Sequence, residues 1–407
     1  MLCAVTVSGC ATWPRGWGTR PCCVETKPVV RKQPIWWHLF DVTVLSQIEQ
    51  GLRLVRAGRK LFGVPTRSLN LQDGTVQRSV FFTDRPIEAL SPEAVRWGPT
   101  RPEDVAQPPF TVTKLKGEGK TAGFFVNDSR GVRYLFKLDP IEAPQLLTGA
   151  EVVASKLLYA LGYHVPSYEI VRMSPSELAI GPEVVVRESR RPFTQEDLEA
   201  LLARRLSDGV LRVVASKILE GEILGPASFK QFRDCTELRA LKVGYGWLNN
   251  IDAKDHNTLL VWDGAKTVGY LIDFGTALGA DAGRRGGAKS PCAGWTHVID
   301  LKVFYLELLT LGLYRSGCDP HELPMNPRVG LFSKRMEPFA WKPYAPNIAF
   351  EEMNDEDAVW LTRRIARLST PQIEAAVSSG QYNDPADATY LVHILEERRA
   401  AILRRYQ

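Results

Sequence analysis

The sequence has no apolar run of the roughly 18 residues that a membrane-spanning helix needs, so no helical span is expected. It has no Cys-x-x-Cys pair and no Cys/His cluster at zinc spacing; the seven cysteines and six histidines are scattered, which argues against a structural metal. Cys3, Cys10, Cys22 and Cys23 crowd the N-terminus while Cys235, Cys292 and Cys318 stand far apart, and the count alone settles neither pairing nor compartment. A strong excess of one charge is also missing. The net charge of +5, from 51 basic and 46 acidic residues, is small and dispersed, so no nucleic-acid partner is expected. There is no internal repeat and no Walker A motif.

What remains is a chain of 407 residues, 44% hydrophobic and 24% charged, too long for one core and ordinary for globular units. Val7-Ser8-Gly9-Cys10 has the form of a bacterial lipoprotein cleavage box, although the preceding apolar run is short and has no basic residue. Two readings stay open: a truncated signal, with membrane attachment through a lipidated Cys10 and a cell-envelope location, or a chance match and a cytoplasmic protein. Residues 1–35 read as that signal and a tether rich in Pro, Gly, Arg and Trp. Residues 36–109 read as an N-terminal extension, with an amphipathic helix within 41–63 and a proline-punctuated, loop-rich remainder that wraps something.

From Phe110 the texture changes. Strands are predicted at Phe110–Leu115, Phe124–Val126 and Val132–Leu138, the last two joined by the turn Asn127-Asp128-Ser129-Arg130-Gly131. A helix follows at Thr148–Leu161, then strand-like runs at Tyr168–Met173, Val184–Arg187 and Leu211–Leu219. Beyond about residue 236 helices dominate: Glu237–Leu248, His297–Leu311, Asp355–Leu368, Pro371–Val377 and Pro385–Arg405. Thr370 and Asp384, each before a proline, suit helix starts. The pattern is α+β, a β-rich unit at 110–220 followed by an α-rich unit at 221–407.

The chemistry concentrates after the helix at 237–248. Asp252 and Asn257 stand five apart in a polar loop, and Asp273 follows an apolar strand sixteen residues beyond Asn257. Phosphoryl transfer needs such a set: one carboxylate to orient the acceptor and take its proton, and an amide oxygen with a second carboxylate to hold Mg²⁺ against phosphates. Any of these alone would be chance; together, in order, around a β-hairpin, they are not easily so.

With Asp252, Lys254 and Asn257 in the order D-x-K-x-x-N and Asp273-Phe274-Gly275 behind them, the sequence resembles the protein-kinase-like superfamily over residues 111–330. It is most similar to atypical branches: HipA-type, phosphoinositide and secretory-pathway kinases, and a set of uncharacterised bacterial proteins with similar WLNN-D and IDFG strings. The histidine-arginine pair that precedes the catalytic aspartate in conventional kinases is absent here. The resemblance implies a bilobal fold, with a small β-rich lobe carrying one key helix, a larger α-rich lobe and an N-terminal extension. It implies ATP and Mg²⁺ as cofactors, Asp252 as catalytic base, and Asn257 and Asp273 as metal ligands.

Lys137 lies among apolar neighbours in the third strand, where a lysine snorkels to solvent or is paired. The resemblance makes it the phosphate contact, held by Glu151 of the next helix. The rival for Glu151 is a capping box, Thr148-x-x-Glu151, which would keep its carboxylate at the helix start. Pairing with Lys137 is the expectation taken. Gly117, Gly119, Lys120 and Thr121 belong to a glycine-bearing loop, Gly117–Gly123, that would cover the phosphates with backbone N–H groups; alone it is a hairpin turn, and Lys120 alone a solvated side chain. Leu219 and Glu220, in Ile218-Leu219-Glu220-Gly221, would form the hinge whose backbone reads adenine. Lys254 would steady the transferred phosphate, against the plain reading of an exposed loop lysine. Asp255 and His256 read as scaffolding, and Gly279–Ser290 as a mobile loop close to the acceptor site. The expected activity moves the γ-phosphate of ATP to a hydroxyl on a protein, lipid headgroup or metabolite. The alternatives are an ATP-binding pseudokinase scaffold and nucleotidyl (AMP) transfer by the same site.

Overall fold

The computed structural model describes residues 66–117, 121–187, 189–314, 316–337 and 340–406, with Cys22, Val24, 27–30 and Gly58. The segment expected to hold a helix at 41–63, apart from Gly58, and Cys10 with its cleavage box lie outside these residues.

The stretch before Phe110 has more structure than its prolines suggest. A two-stranded hairpin, β1 (Leu71–Gln72) and β2 (Thr75–Val76), precedes helix α1 (Pro92–Trp97), which Ser91 opens by accepting the Ala94 N–H on its hydroxyl. Between them Val80, Phe81 and Phe82 are buried in the same core as the C-terminal helices, and Phe82 meets Tyr163 and Trp360 edge to face.

The main sheet is built from β3 (Phe110–Leu115), β4 (Gly123–Asn127) and β5 (Arg133–Leu138), which are successive antiparallel neighbours. Helix α2 (Leu146–Ala160) leads to β6 (Tyr168–Met173) and β7 (Leu178–Ile180). Helix α3 (Gln195–Leu202) precedes β8 (Leu206–Ser207) and β9 (Val210–Lys217). The strand order is β6-β9-β5-β4-β3-β7, with β8 against β9 and only β7 parallel to its neighbour. The two faces have different cores. Phe110, Val112, Phe124, Phe136 and Leu138 form one cluster with Leu198 and Leu202 of α3. On the opposite face Tyr168, Ile170 and Val214 join α2 and the C-terminal helices. Because side chains alternate along a strand, Lys137, between Phe136 and Leu138, points to the α2 side.

A second sheet, β10 (Glu222–Gly225), β11 (Thr258–Trp262) and β12 (Thr267–Leu271), brackets helix α4 (Thr236–Leu248) in sequence. The remaining helices are α5 (Leu301–Leu309), α6 (Ile348–Glu351), α7 (Asp355–Ala366), α8 (Thr370–Ser378) and α9 (Pro385–Tyr406). The architecture is mixed α+β. No helix among the described residues is long and apolar enough to cross a membrane.

Several expectations need correction. Val184–Arg187 is no strand but an isolated bridge, Val185 to Pro192, and the proline facing it has no N–H with which to extend a ladder. The helix expected from His297 begins at Leu301, because the Asp300 carboxylate accepts the Val303 N–H at 3.1 Å and caps it there. Helix α8 is capped by Ser369 rather than Thr370. The scattered cysteines do pair: Cys22 bonds Cys235, just before α4, and Cys292 bonds Cys318, with Cα atoms 5.5 and 4.9 Å apart.

Candidate active site

Asp252 and Asn257 sit in the turn that follows α4. The helix ends on Asn249, whose left-handed backbone (φ 49°) reverses the chain, and Asn250 accepts the Thr276 hydroxyl on its side-chain oxygen at 2.7 Å. The loop is closed from within. Asn257 Nδ2 donates to the Asp252 carbonyl at 2.8 Å, and the Asn257 N–H bonds the Lys254 carbonyl at 3.0 Å. Lys254 is not a free loop lysine: its Nζ lies 2.5 Å from Asp252 Oδ2. Asp255 is scaffolding, accepting the Phe229 N–H at 2.9 Å, while its carbonyl takes the Thr258 hydroxyl at 2.6 Å.

From Asn257 the chain crosses β11 and β12 and returns beside itself, where the Ile272 N–H donates to the Asn257 carbonyl at 3.0 Å. Antiparallel pairing of Thr258 with Leu271 thus brings Asn257 and Asp273 to the same end of a hairpin. Asp273 adopts φ 60°, a sparsely populated conformation for a residue other than glycine. Phe274 is fully buried and meets Tyr168 edge to face at 5.8 Å, and the Tyr168 hydroxyl accepts the Asp273 N–H at 3.3 Å.

Lys137 joins the two halves of the site. Its Nζ lies 2.5 Å from Glu151 Oε1 on α2 and 3.0 Å from Asp273 Oδ1. Burial alone would lower its pKa, but Asp273 and Glu151 reverse that and raise it above the ordinary lysine value. Burial lifts the Glu151 carboxyl, with Lys137 pulling against it. Asp273 faces open space, its side chain 42% exposed. Burial opposes its ionisation too, but Lys137, Lys116 and Lys254 outweigh it and bring its pKa to about 2.

The capping box with Thr148, the rival reading of Glu151, is not formed. Asp139, two residues past Lys137, takes the N–H groups of Gln145, Leu147 and Thr148 and the Thr148 hydroxyl at 2.8–3.0 Å. With the helix start served from outside, the Glu151 carboxylate is left to reach Lys137. Asp139 carried no distinguishing mark in the sequence.

In the glycine-bearing loop, Gly119 and Lys120 lie outside the described residues. The carbonyl of Gly117 accepts a hydrogen bond from Arg187, and Thr121 accepts from Lys116 on both its carbonyl and its hydroxyl. Leu219 and Glu220 lie in the link from β9 to β10, the strands that join the two sheets in sequence; the Glu220 side chain is exposed and pairs with Lys217 at 3.0 Å. Gly221 is required there: at φ 101°, a Cβ would meet the Trp262 carbonyl oxygen at 2.6 Å. The loop at 279–290, expected to be mobile, is pinned. Lys289 is buried and donates to the carbonyls of Asn249, Thr276 and Leu278 at 2.5–2.7 Å, and the Tyr344 hydroxyl donates to buried Asp281.

No group of three or more His, Cys, Asp or Glu able to hold a metal occurs among the described residues. The oxygens of Asn257 and the ionised Asp273 nevertheless suit a hard cation such as Mg²⁺, which takes one or two protein ligands and completes its shell with phosphate and water.

Neither a scan against protein-family models nor a comparison with curated proteins finds a match. Among solved structures, the Helicobacter pylori proinflammatory kinase CtkA is similar over 72% of this chain and 94% of that chain, at 12% identity and a TM-score of 0.37. At that identity and TM-score the likeness carries no argument about the chemistry of this site.

Proposed function

We propose that this chain is an atypical kinase-like phosphotransferase that uses ATP with Mg²⁺ and moves the γ-phosphate to a hydroxyl acceptor. The observation that supports it is the meeting of Lys137 from β5, Glu151 from α2 and Asp273 from beyond β12 in one charged cluster. A buried ion pair is a costly way to stabilise a fold. A lysine kept cationic by one buried and one open carboxylate is an economical way to present positive charge to phosphate.

In this reading Asn257 and Asp273 hold the metal and Lys137 meets the phosphates. When bound, Mg·ATP supplies the phosphoryl group, with its charge partly neutralised by the metal. Asp252 takes the proton of the acceptor hydroxyl on its carboxylate, and Lys254, bonded to Oδ2, fixes its direction and adds positive charge beside the transfer. The backbone at Leu219 and Glu220 borders the adenine of the nucleotide.

Asp252→Asn tests the assignment, since it keeps shape and hydrogen bonding but removes the charge that accepts the proton. Mg·ATP affinity and melting temperature should stay near wild type while γ-phosphate transfer falls by roughly 10² or more. Transfer is followed with γ- and α-labelled ATP, using autophosphorylation if no acceptor is known. Unchanged γ-transfer overturns the role of Asp252, and label moving only from the α position replaces phosphoryl with nucleotidyl transfer. No transfer by wild type with ATP bound leaves a binding scaffold.

A further inference from the structure

We infer that Lys116 is a second phosphate-binding cation of this site, held by Thr121 until a nucleotide's phosphates replace those contacts; the inference rests on the phosphotransferase reading above. Lys116 follows β3 directly, at the entrance of the loop to Gly123, and its backbone N–H continues the ladder by bonding the Gly123 carbonyl at 2.9 Å. Its Nζ donates to the Thr121 carbonyl at 3.1 Å and to the Thr121 hydroxyl at 2.7 Å.

Gly123 shows where the lysine stem runs. A Cβ there would lie 2.3 Å from the Phe136 carbonyl oxygen, 3.3 Å from Lys137 Cα and 3.4 Å from Lys116 Cδ. The Lys116 stem therefore passes over β4 next to Lys137, toward the same cluster of charges. Lys116 and Lys137 feel each other, and Lys116 also feels Asp273, Glu151 and Lys254.

The two lysines differ in their partners. Lys137 has two carboxylates within an ion-pair distance. Lys116, half-buried, has only the neutral oxygens of Thr121 as hydrogen-bond partners among the described residues. A partly desolvated ammonium served by neutral acceptors gains by exchanging them for anionic ones. The ligand class that fits, next to Lys137 and Asp273, is the polyphosphate of a nucleoside di- or triphosphate.

The test compares wild type, Lys116→Met, Lys116→Arg and Lys137→Met in the full chain, by calorimetry with adenosine, ADP and ATP in Mg²⁺. Lys116→Met should weaken ATP by about 10- to 100-fold, ADP by no more than that, and adenosine not at all, with Lys116→Arg recovering most of the loss. A merely structural staple would weaken all three ligands alike, or lower the melting temperature without this grading; either result overturns the inference. If ATP binds and Lys137→Met weakens it while Lys116→Met does not, this inference alone fails. If wild type binds no nucleotide, the phosphotransferase reading fails and takes the inference with it.

Discussion

Lys137 and Lys289 are both buried, 6% and 4% exposed, yet they are answered differently. Lys137 faces two carboxylates, and their charge holds its proton against burial. Lys289 faces three backbone carbonyls, and burial pushes its pKa well below the ordinary value despite a pull from Asp281. His164 belongs with Lys289: its Nδ1 lies 3.0 and 3.2 Å from the carbonyls of Val80 and Gly269, and burial brings its pKa to about 4. Carboxylates keep a buried base charged and available for exchange with another anion. Carbonyls use the base to tie segments together, and leave its charge at a disadvantage.

The largest effect expected from this contrast is on turnover. Lys137→Met retains the aliphatic stem, so phosphate transfer should fall by about 10²–10³-fold while the fold persists. Circular dichroism melting alongside the kinase assay checks both halves. An unfolded variant would make Lys137 a structural lysine like Lys289, and full turnover would remove it from the site.

Lys289→Met should do the reverse. Three buried carbonyls lose their donor, for a loss of roughly 3 kcal/mol or more in denaturant unfolding, and activity falls only as the folded fraction falls. A stable variant with depressed turnover per folded molecule would break the distinction between the two lysines.

The smallest effect belongs to His164 and depends on pH. Its folded pKa of about 4 lies below the unfolded value of 6.5, so the unfolded chain binds the extra proton between them. Its contribution is complete above pH 6.5 and is lost as pH falls through about 4, up to roughly 3 kcal/mol. His164→Gln should flatten that part of the stability profile. An unchanged slope would place the titration elsewhere.

The sequence shows some of this and hides the rest for a physical reason. Asp252, Asn257 and Asp273 are legible because their spacing fits one loop and one hairpin, both local structures. Lys137 is legible because it is a lone charge among the apolar residues Leu135, Phe136 and Leu138 of a strand. Lys289 is not, since its three acceptors lie 40, 13 and 11 residues away and are backbone atoms that any residue type supplies. Asp139 and Lys116 likewise acquire meaning only when helix start and strand end are in place. The bond between Cys22 and Cys235 spans 213 residues, beyond the reach of any spacing argument.

That last bond makes a ring of the chain. Everything from residue 22 to residue 235, including the whole main sheet, α2 and Lys137, is a closed covalent loop fastened at the foot of α4. A protease that cuts the exposed turn at 129–131 opens the ring without releasing either piece, so the nicked protein runs as one species until a reductant is added. β3, β4 and Lys116 would then remain on one covalent assembly with Lys137, Glu151 and Asp273 even after the chain between β4 and β5 is severed.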